Sequence, residues 1–421
     1  MNKFPNSVLL NPDKCNGCIN CLKRCPTEAV RIRRGKSVIS HMRCIDCGEC
    51  IRVCPARAKT PVRDPLAVTD GYRYKVALPH PALYAQFNNL EDKAAVLGAL
   101  LAYGFDDIYE VGAAAEKVSE ATRRLIAEGK VNLPLISSAC PSVIRLIRVR
   151  FPNLIPYISP LNAPEDVAAK TALRRAERKT ALPREEIGVF LIAPCPAKTT
   201  SVRAPVGLEK SDIDGVIAIS DIFPKLPSLM KNLDLENLFP DGETLNTAGR
   251  IGVSWGGTGG EAGGVLSDRC LSADGVENVM KVLSHLEDER FQNLEFIELS
   301  ACSGGCLGGV LTIENPYIAR VKLNALRKYL PVSGARLDGS EKKSLFWQGE
   351  IEYVPAYGLS DDIGESISLM EKLERILEKL PGLDCGCCGA PTCRAFAEDV
   401  IRGHKGGCIH KRAAGDFYSE I

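Results

Sequence analysis

Eight of the chain's 18 cysteines fall within the first 54 residues, in two copies of one spacing. The first copy runs Cys15-x2-Cys18-x2-Cys21-x3-Cys25-Pro26 and the second Cys44-x2-Cys47-x2-Cys50-x3-Cys54-Pro55. Three thiolates at such intervals can wrap one face of an iron-sulfur cube, and in tandem runs of this kind each fourth cysteine ligates the other cluster. Cys15, Cys18, Cys21 and Cys54 are thereby assigned to one 4Fe-4S cluster, and Cys44, Cys47, Cys50 and Cys25 to a second. Gly17 and Gly48 permit tight backbone turns between ligands. Structural zinc is the alternative chemistry for closely spaced thiols; two tandem copies that both end in Cys-Pro speak against it.

Four more cysteines lie in loops that follow apolar, strand-like runs: Cys140 in Ser138-Ala139-Cys140-Pro141, Cys195 in Ala193-Pro194-Cys195-Pro196-Ala197-Lys198, and Cys302 and Cys306 in Ala301-Cys302-Ser303-Gly304-Gly305-Cys306. A fourth loop of this kind, Trp255-Gly256-Gly257-Thr258-Gly259-Gly260, has no cysteine. Taken singly, each cysteine is as well explained as a small buried apolar residue. In an open α/β sheet, however, loops at the carboxyl ends of strands converge, and four thiolates suffice for another cubane. Cys302 and Cys306 are spaced by one helical turn.

The elements that must position these loops read as alternating β and α patterns. Apolar runs over Tyr74–Leu78, Ile108–Val111, Pro134–Ser137, Gly188–Ala193, Gly215–Ile219, Ile251–Trp255 and Glu295–Leu299 predict buried strands. Helices are predicted over Leu90–Tyr103, stopped by Gly104, over Val276–Leu286 and over Glu365–Lys379, with a loop or insertion at Pro331–Lys343. The alternation implies α/β layers with mainly parallel sheets, and the cysteine groups suggest three parts: residues 1–66, 67–362 and 363–421. Gly257-x-Gly259-x-x-Ala262, following the expected strand Ile251–Trp255, also satisfies a dinucleotide-binding fingerprint literally, a weak signal in so glycine-rich a run.

Composition narrows the classes. The chain of 421 residues is 45% hydrophobic and 25% charged, with 53 Lys and Arg against 52 Asp and Glu, a formal net charge of +1. That is the composition of an ordinary globular protein, and it gives no whole-chain reason to expect nucleic acid or an anionic membrane. The first residues lack the apolar run of a signal peptide, and no stretch approaches a membrane span, so a cytoplasmic protein is expected. A reducing compartment in turn favours metal ligation over disulfides. Residues 1–70 hold 13 Lys or Arg against six Asp or Glu, including Lys23-Arg24 and Arg31-x-Arg33-Arg34. They could form a docking face for an acidic redox partner, offset cluster charge or simply face solvent.

Residues 1–66 resemble a bacterial-type ferredoxin domain, which relays single electrons. Residues of about 70 to 330 resemble the FeFe hydrogenases, whose signatures run roughly T-S-C-C-P-x-W, M-P-C-x-x-K-x-x-E and E-x-M-A-C-x-x-G-C-x-x-G-G. They stand here as Ser137-Ser138-Ala139-Cys140-Pro141, as Ala193-Pro194-Cys195-Pro196-Ala197-Lys198, and as Glu298-Leu299-Ser300-Ala301-Cys302-Ser303-Gly304-Gly305-Cys306-Leu307-Gly308-Gly309. The resemblance implies an H-cluster: a 4Fe-4S cubane on Cys140, Cys195, Cys302 and Cys306, the last bridging to a di-iron unit that bears carbonyl, cyanide and a bridging dithiolate. Lys198 would donate to a cyanide. Trp255 and Gly256 match an aromatic-glycine pair expected beside the di-iron unit, and Gly304, Gly305, Gly308 and Gly309 would clear space for the cofactor against the backbone.

The departures cluster where protons move. The family's first signature carries a proton-passing cysteine where Ala139 stands, Ser300 and Ala193 replace methionines, Ser201 a glutamate and Val143 a tryptophan. Ser159 matches a serine of the family's proton path. Loss of a positioned acid typically lowers a rate by about 10²- to 10⁴-fold. The resemblance is greatest to the sensory branch of the family and implies an oxygen-sensitive protein that oxidises hydrogen reversibly but slowly. Hydrogen and protons, a redox partner such as ferredoxin or a signalling protein, and the hydrogenase maturation enzymes are the implied partners. The alternatives are a fully catalytic hydrogenase with a non-cysteine proton donor, and a non-enzymatic iron-sulfur carrier or assembly protein without the di-iron unit.

The last cysteine group, Asp384-Cys385-Gly386-Cys387-Cys388-Gly389-Ala390-Pro391-Thr392-Cys393 followed by Cys408, resembles a small 4Fe-4S domain of electron-transport and corrinoid proteins. Cys385, Cys388, Cys393 and Cys408 would hold a third accessory cluster, with zinc as the alternative. Cys387 and Cys270 are then spare, the latter as a structural thiol.

Overall fold

A computed structural model describes residues 6–231, 233, 247–291, 293–337, 344–404 and 406–411. Contacts divide the chain into two units, one made of residues up to Pro61 together with those from Tyr353 onward, the other of Val62–Glu352.

In the first unit, β1 (Val8–Leu10), β2 (Val30–Arg33), β3 (Lys36–Ile39) and β4 (Lys59–Pro61) form two antiparallel pairs, β1 with β4 and β2 with β3. Arg34 and Gly35, both at positive φ (50° and 72°), close the β2–β3 hairpin as a two-residue turn whose twist suits the strands. A side chain at Gly17, in the first cysteine loop, would meet the Gly35 carbonyl at 2.4 Å, so this loop and the hairpin turn can pack only with glycine there.

The C-terminal segment supplies helices Ile363–Glu378 and Cys393–Ile401, packed through Leu373, Ile376, Phe396 and Val400. It is bound to the N-terminal segment by Arg31 and Arg33 on Asp399 and by the buried pair Arg43–Glu398 (2.8 Å). Ile32 N–H donates to the Gly389 carbonyl (2.9 Å), and Lys23 Nζ to the carbonyls of Asp384 (2.6 Å) and Pro391 (3.1 Å). Lys23, Arg31 and Arg33 are therefore engaged within the chain, Arg31 and Arg33 as partners of Asp399 rather than as fully solvated charge, while Lys23 stays exposed. Sequence alone had no means of placing Asp399 opposite them.

The second unit contains two all-parallel sheets. Strands β5 (Tyr74–Pro79), β6 (Asp107–Ile108), β8 (Ile187–Ala193) and β9 (Gly215–Ala218) stand in the order β6-β5-β8-β9; β7 (Leu135–Ile136), β10 (Cys270–Asp274) and β11 (Phe296–Ser300) stand as β10-β11-β7. All seven residues of β8 are buried, as a parallel strand covered on both faces requires. Val111, Val118 and Ala121 from helix Val111–Glu128 pack with Val167 and Ala172 from helix Pro164–Thr180 on one face, against Val76, Val189 and Leu191. Val96, Leu97 and Leu100 from helix Ala94–Tyr103 cover the other, against Ala77, Phe190 and Ile217. The mixed α/β architecture with parallel sheets is as expected.

Two strand assignments are corrected. The run Ile108–Val111 is a strand only to Ile108, because Val111 opens the long helix. The run Ile251–Trp255 is helical instead, within helix Arg250–Ser254 and its C-cap Trp255. Five apolar and small residues fit either element, and the crossing decides: a side chain at Gly252 would meet the Gly112 carbonyl at 2.1 Å, so two helices touch through their glycines. The glycine run after Trp255 thus follows a helix, and the dinucleotide fingerprint loses the preceding strand it needs. Residues 331–337 of the expected loop are irregular, and 338–343 lie outside the described residues. No helix among the described residues is long and apolar enough to cross a membrane.

Candidate functional site

The carboxyl ends of β5, β7, β8 and β11 carry His80, Cys140, Cys195 and Cys302 into one region. Cys140 is the N-cap of helix Pro141–Arg150 and Cys195 that of helix Pro196–Arg203; each is followed by proline at the first helical position. Proline is preorganised there, and a helix N-terminus favours a thiolate. Cys302 and Cys306 do not share a helix: a short 3-10 turn begins only at Gly305, after Gly304 and Gly305 at positive φ (82° and 72°). The glycines also act otherwise than expected. Side chains at Gly305, Gly308 and Gly309 would strike Thr258 N, Ser303 O and Pro194 O at 2.7, 2.0 and 2.2 Å, so they let protein loops pack on one another. Pro194 and Gly256 belong to this scaffold, since their carbonyls accept from Leu311 N–H (2.9 Å) and Leu307 N–H (3.0 Å).

The four thiols interact electrostatically. Cys195 feels Cys302 and Cys140, and Cys306 feels Cys195 and Cys140. Burial pushes the Cys195 thiol up to about 12 and Cys306 well above the ordinary value, while Lys198 pulls both down. Thiols raised this far stay protonated unless more positive charge than that of Lys198 stands beside them, and bound iron would supply it.

A small cavity of about 40 Å³ opens beside Cys140 and Cys306, lined also by Ala139, Lys198, Trp255 and Ser300. Lys198 is buried and ion-paired with Glu165. Burial alone would discharge it, but Glu165 above all, joined by Cys306 and Cys195 when these are ionised, holds its proton above the ordinary lysine value. The Trp255 indole N–H donates to Ser119 Oγ (3.1 Å). Ser159 is buried elsewhere, its Oγ accepting from Leu161 N–H (3.4 Å), and is not part of the cavity wall. Ser201 donates to the Lys198 carbonyl and faces a neighbouring cavity with Asp166.

Three titratable wall residues have no counterpart among the sequence assignments: His80, Glu165 and Glu261. Ala82 N–H donates to His80 Nδ1 (3.1 Å), and Nε2 lies 3.5 Å from Glu165. Burial, reinforced by Lys198, holds His80 well below the usual histidine range, so it is neutral. Glu261 accepts from Ser137 Oγ (2.6 Å); burial and the charge of Glu298 keep its carboxyl well above the usual range. Glu298 is raised by burial too, but accepts from Gly259 and Ala262 N–H (both 2.8 Å) and so ionises first of the pair. Glu261 stands inside the glycine run and Glu165 after the proline of a helix start, so neither position carried a chemical signal.

In the other unit, Cys47 and Cys44 feel Cys25 and Cys50, while Cys21 feels Cys18 and Cys54, so each fourth cysteine lies with the opposite triplet. Ala29 and Ala58 N–H donate to Cys25 and Cys54 Sγ, both at 3.2 Å. Lys36 Nζ donates to the Cys15 carbonyl (2.8 Å). In the C-terminal segment Cys388 feels Cys408 and Cys385; Cys393 N–H donates to Asp384 (2.6 Å), and His410 Nε2 lies 3.6 Å from Cys385 Sγ. Cys387 is exposed, and Cys270 is half-buried beside Leu135 and Phe296.

Parallel α/β layers whose strand ends carry thiols to a cavity, in a chain that also holds a unit with tandem cysteine triplets, define an iron-sulfur oxidoreductase. More than half of the chain, residues 73–267 and 261–310, matches the iron only hydrogenase large subunit, C-terminal domain, and the protein belongs to that family. Residues 7–55 match the 4Fe-4S dicluster domain and 380–409 an Fe-S cluster profile. Over 379 residues the chain is 24% identical to NADP-reducing hydrogenase subunit HndD of Solidesulfovibrio fructosivorans, across 72% of this chain and 64% of that one. It is 22% identical to the nuclear prelamin A recognition factor of Rattus norvegicus, across 55% and 61%. The chain thus spans less than two thirds of the length of either relative. The fold is shared with a FeFe-hydrogenase, HydA, solved in a study of stepwise H-cluster assembly: TM-score 0.51, 14% identity, 68% of this chain and 98% of that one.

Proposed function

We propose that the cavity holds an H-cluster and that the protein oxidises hydrogen reversibly at low turnover, as a hydrogen or redox sensor. The carrying observation is the wall itself: Cys306, Cys140 and the buried cation Lys198 meet there, while Ala139 fills the position from which the family's cysteine passes protons. Cys140, Cys195, Cys302 and Cys306 would hold the cubane, with Cys306 bridging to the di-iron unit. That group, when bound, supplies the site of hydrogen splitting. The chain's own part would be to keep Lys198 charged as a donor to a cyanide of that group and to move protons. Ala139 has no exchangeable proton, which slows that last task by about 10²- to 10⁴-fold.

Three accessory 4Fe-4S clusters, on the two ferredoxin-type ligand sets and on Cys385, Cys388, Cys393 and Cys408, would carry electrons to a ferredoxin or signalling partner in the cytoplasm. The cluster domains would be residues 1–66 and 363–421, flanking a cofactor domain of 67–362. A second reading, full catalysis, draws on Glu261, a protonated carboxyl in the same wall. Under it, Glu261→Gln abolishes turnover; under slow sensing, turnover is already small and falls little.

Infrared spectra of the protein produced with the hydrogenase maturation enzymes test the proposal. Carbonyl and cyanide bands are expected; their absence leaves an iron-sulfur carrier without the di-iron unit.

A further inference from the structure

In the first unit Lys59 is buried, at 3% exposure, and among the described residues its Nζ has no hydrogen-bond partner. It opens β4, where the register sets it opposite Leu10 of β1, and the pleat turns it inward while Thr60 faces solvent. Its surroundings are ligand loops. The preceding residue, Ala58, donates its N–H to Cys54 Sγ (3.2 Å), and helix Glu49–Arg52, which carries Cys50, packs on β4. Cys21, Cys25 and Cys50 pack together with Leu22 and Val30, so ligands assigned to both tandem clusters meet here. Burial raises the Cys21 and Cys50 thiols, and the Lys59 charge pulls both down. Asp46 opposes it on Cys44 and Cys50, its carboxylate accepting from Ser7 N–H (2.8 Å).

A buried ammonium without a partner is costly unless an anion compensates it. A 4Fe-4S cluster on four thiolates is such an anion, with a charge of about −2 when oxidised and about −3 after it takes up one electron. We propose that Lys59 is the shared counter-ion of the two ferredoxin-type clusters and raises the reduction potentials of both. The inference rests on the reading of the tandem cysteines as ligands of two clusters. Lys59 acts through its charge alone, with no proton transferred: it favours the reduced form because that form is the more negative. Of the roles open to the basic residues of 1–70, the offset of cluster charge thus falls to a lysine turned into the unit rather than to those on its surface.

Redox titration of the full chain, followed by electron paramagnetic resonance, tests this in the parent, in Lys59→Met and in Lys59→Gln at matched iron and sulfide content. Both variants remove the charge; Met keeps the apolar stem, and Gln keeps a hydrogen-bond donor. At a fixed poise the ratio of reduced to oxidised tandem clusters should fall at least about tenfold in both variants, a shift of about 59 mV to lower potential for one electron. The cluster on Cys385, Cys388, Cys393 and Cys408 should keep its potential and serves as the internal reference. Unmoved tandem potentials overturn the proposal, as does an equal shift of the reference. So does a shift in Met that Gln restores, which marks a neutral hydrogen bond rather than a charge. Iron and sulfide analysis of the parent separates the two readings. Tandem cysteines that bind no cluster remove the cluster assignment itself, whereas full occupancy with unmoved potentials removes only the role of Lys59.

Discussion

In the cluster-binding unit the cysteine loops are turned by residues at positive φ, Gly17, Asp46 and Gly48 among them, whereas at the cavity two of the four cysteines stand at helix N-termini and are followed by proline. The first arrangement is local. A ligand triplet spans seven residues, and hairpin and loop geometry alone bring its members together. The second depends on a sheet, since Cys140 and Cys306 meet only if β7 and β11 pair in register. Loss of tertiary packing should therefore scatter the cavity ligands while leaving each triplet close to its own arrangement. The charges differ in the same sense. Arg31, Arg33 and Arg43 bind one segment of a unit to another, while Lys198 and Glu165 sit opposite each other in the wall of the cavity proposed to hold the cofactor.

Breaking the pairs sharpens that contrast. Lys198→Met strands a buried carboxylate, Glu165, whose side chain is 8% exposed; a loss of about 3–5 kcal/mol is expected in chemical unfolding of the cavity unit. Arg43→Met leaves Glu398 unpaired and removes the guanidinium from above the Tyr357 ring (4.4 Å); about 3 kcal/mol is expected, read from unfolding of the cluster-binding unit. Arg31→Ala should cost only about 1 kcal/mol, because Asp399 keeps Arg33 and the pair is partly solvated. Equal losses for Arg43 and Arg31 would erase the distinction between buried and rim pairs.

A smaller effect is pH-dependent. Burial, then the charge of Glu165, pushes Asp166 from 3.8 up to about 7, with Lys198 opposing. A carboxyl raised on folding binds its proton more tightly in the folded state. Its contribution to stability is present below about pH 4 and is lost as pH rises through about 7. Asp166→Asn should thus gain stability relative to the parent between pH 4.5 and 7 in urea unfolding, and a difference flat with pH would place Asp166 in a solvated setting.

Much of the site was legible where spacing is itself the chemistry. Each fourth cysteine lies with the opposite triplet, as the tandem spacing required, and the apolar run of β8 delivers Cys195 to the strand end. What spacing does not record is which carboxyl becomes buried. Glu165 and Glu261 look like any helix-start or loop acid until helix packing closes over them. The run Ile251–Trp255 was misread because a glycine-to-glycine helix crossing leaves no periodicity over five residues. The glycines after Cys302 read as clearance for the cofactor, whereas the close contacts of Gly305, Gly308 and Gly309 are with neighbouring backbone.

The central claim is a cofactor site complete except for its proton donor. Hydrogen turnover by Ala139→Cys, compared with the parent at matched carbonyl band intensity, tests it most directly. A gain of about 10²- to 10⁴-fold is expected; turnover unchanged at equal cofactor loading would contradict it and assign proton transfer to another group of the wall.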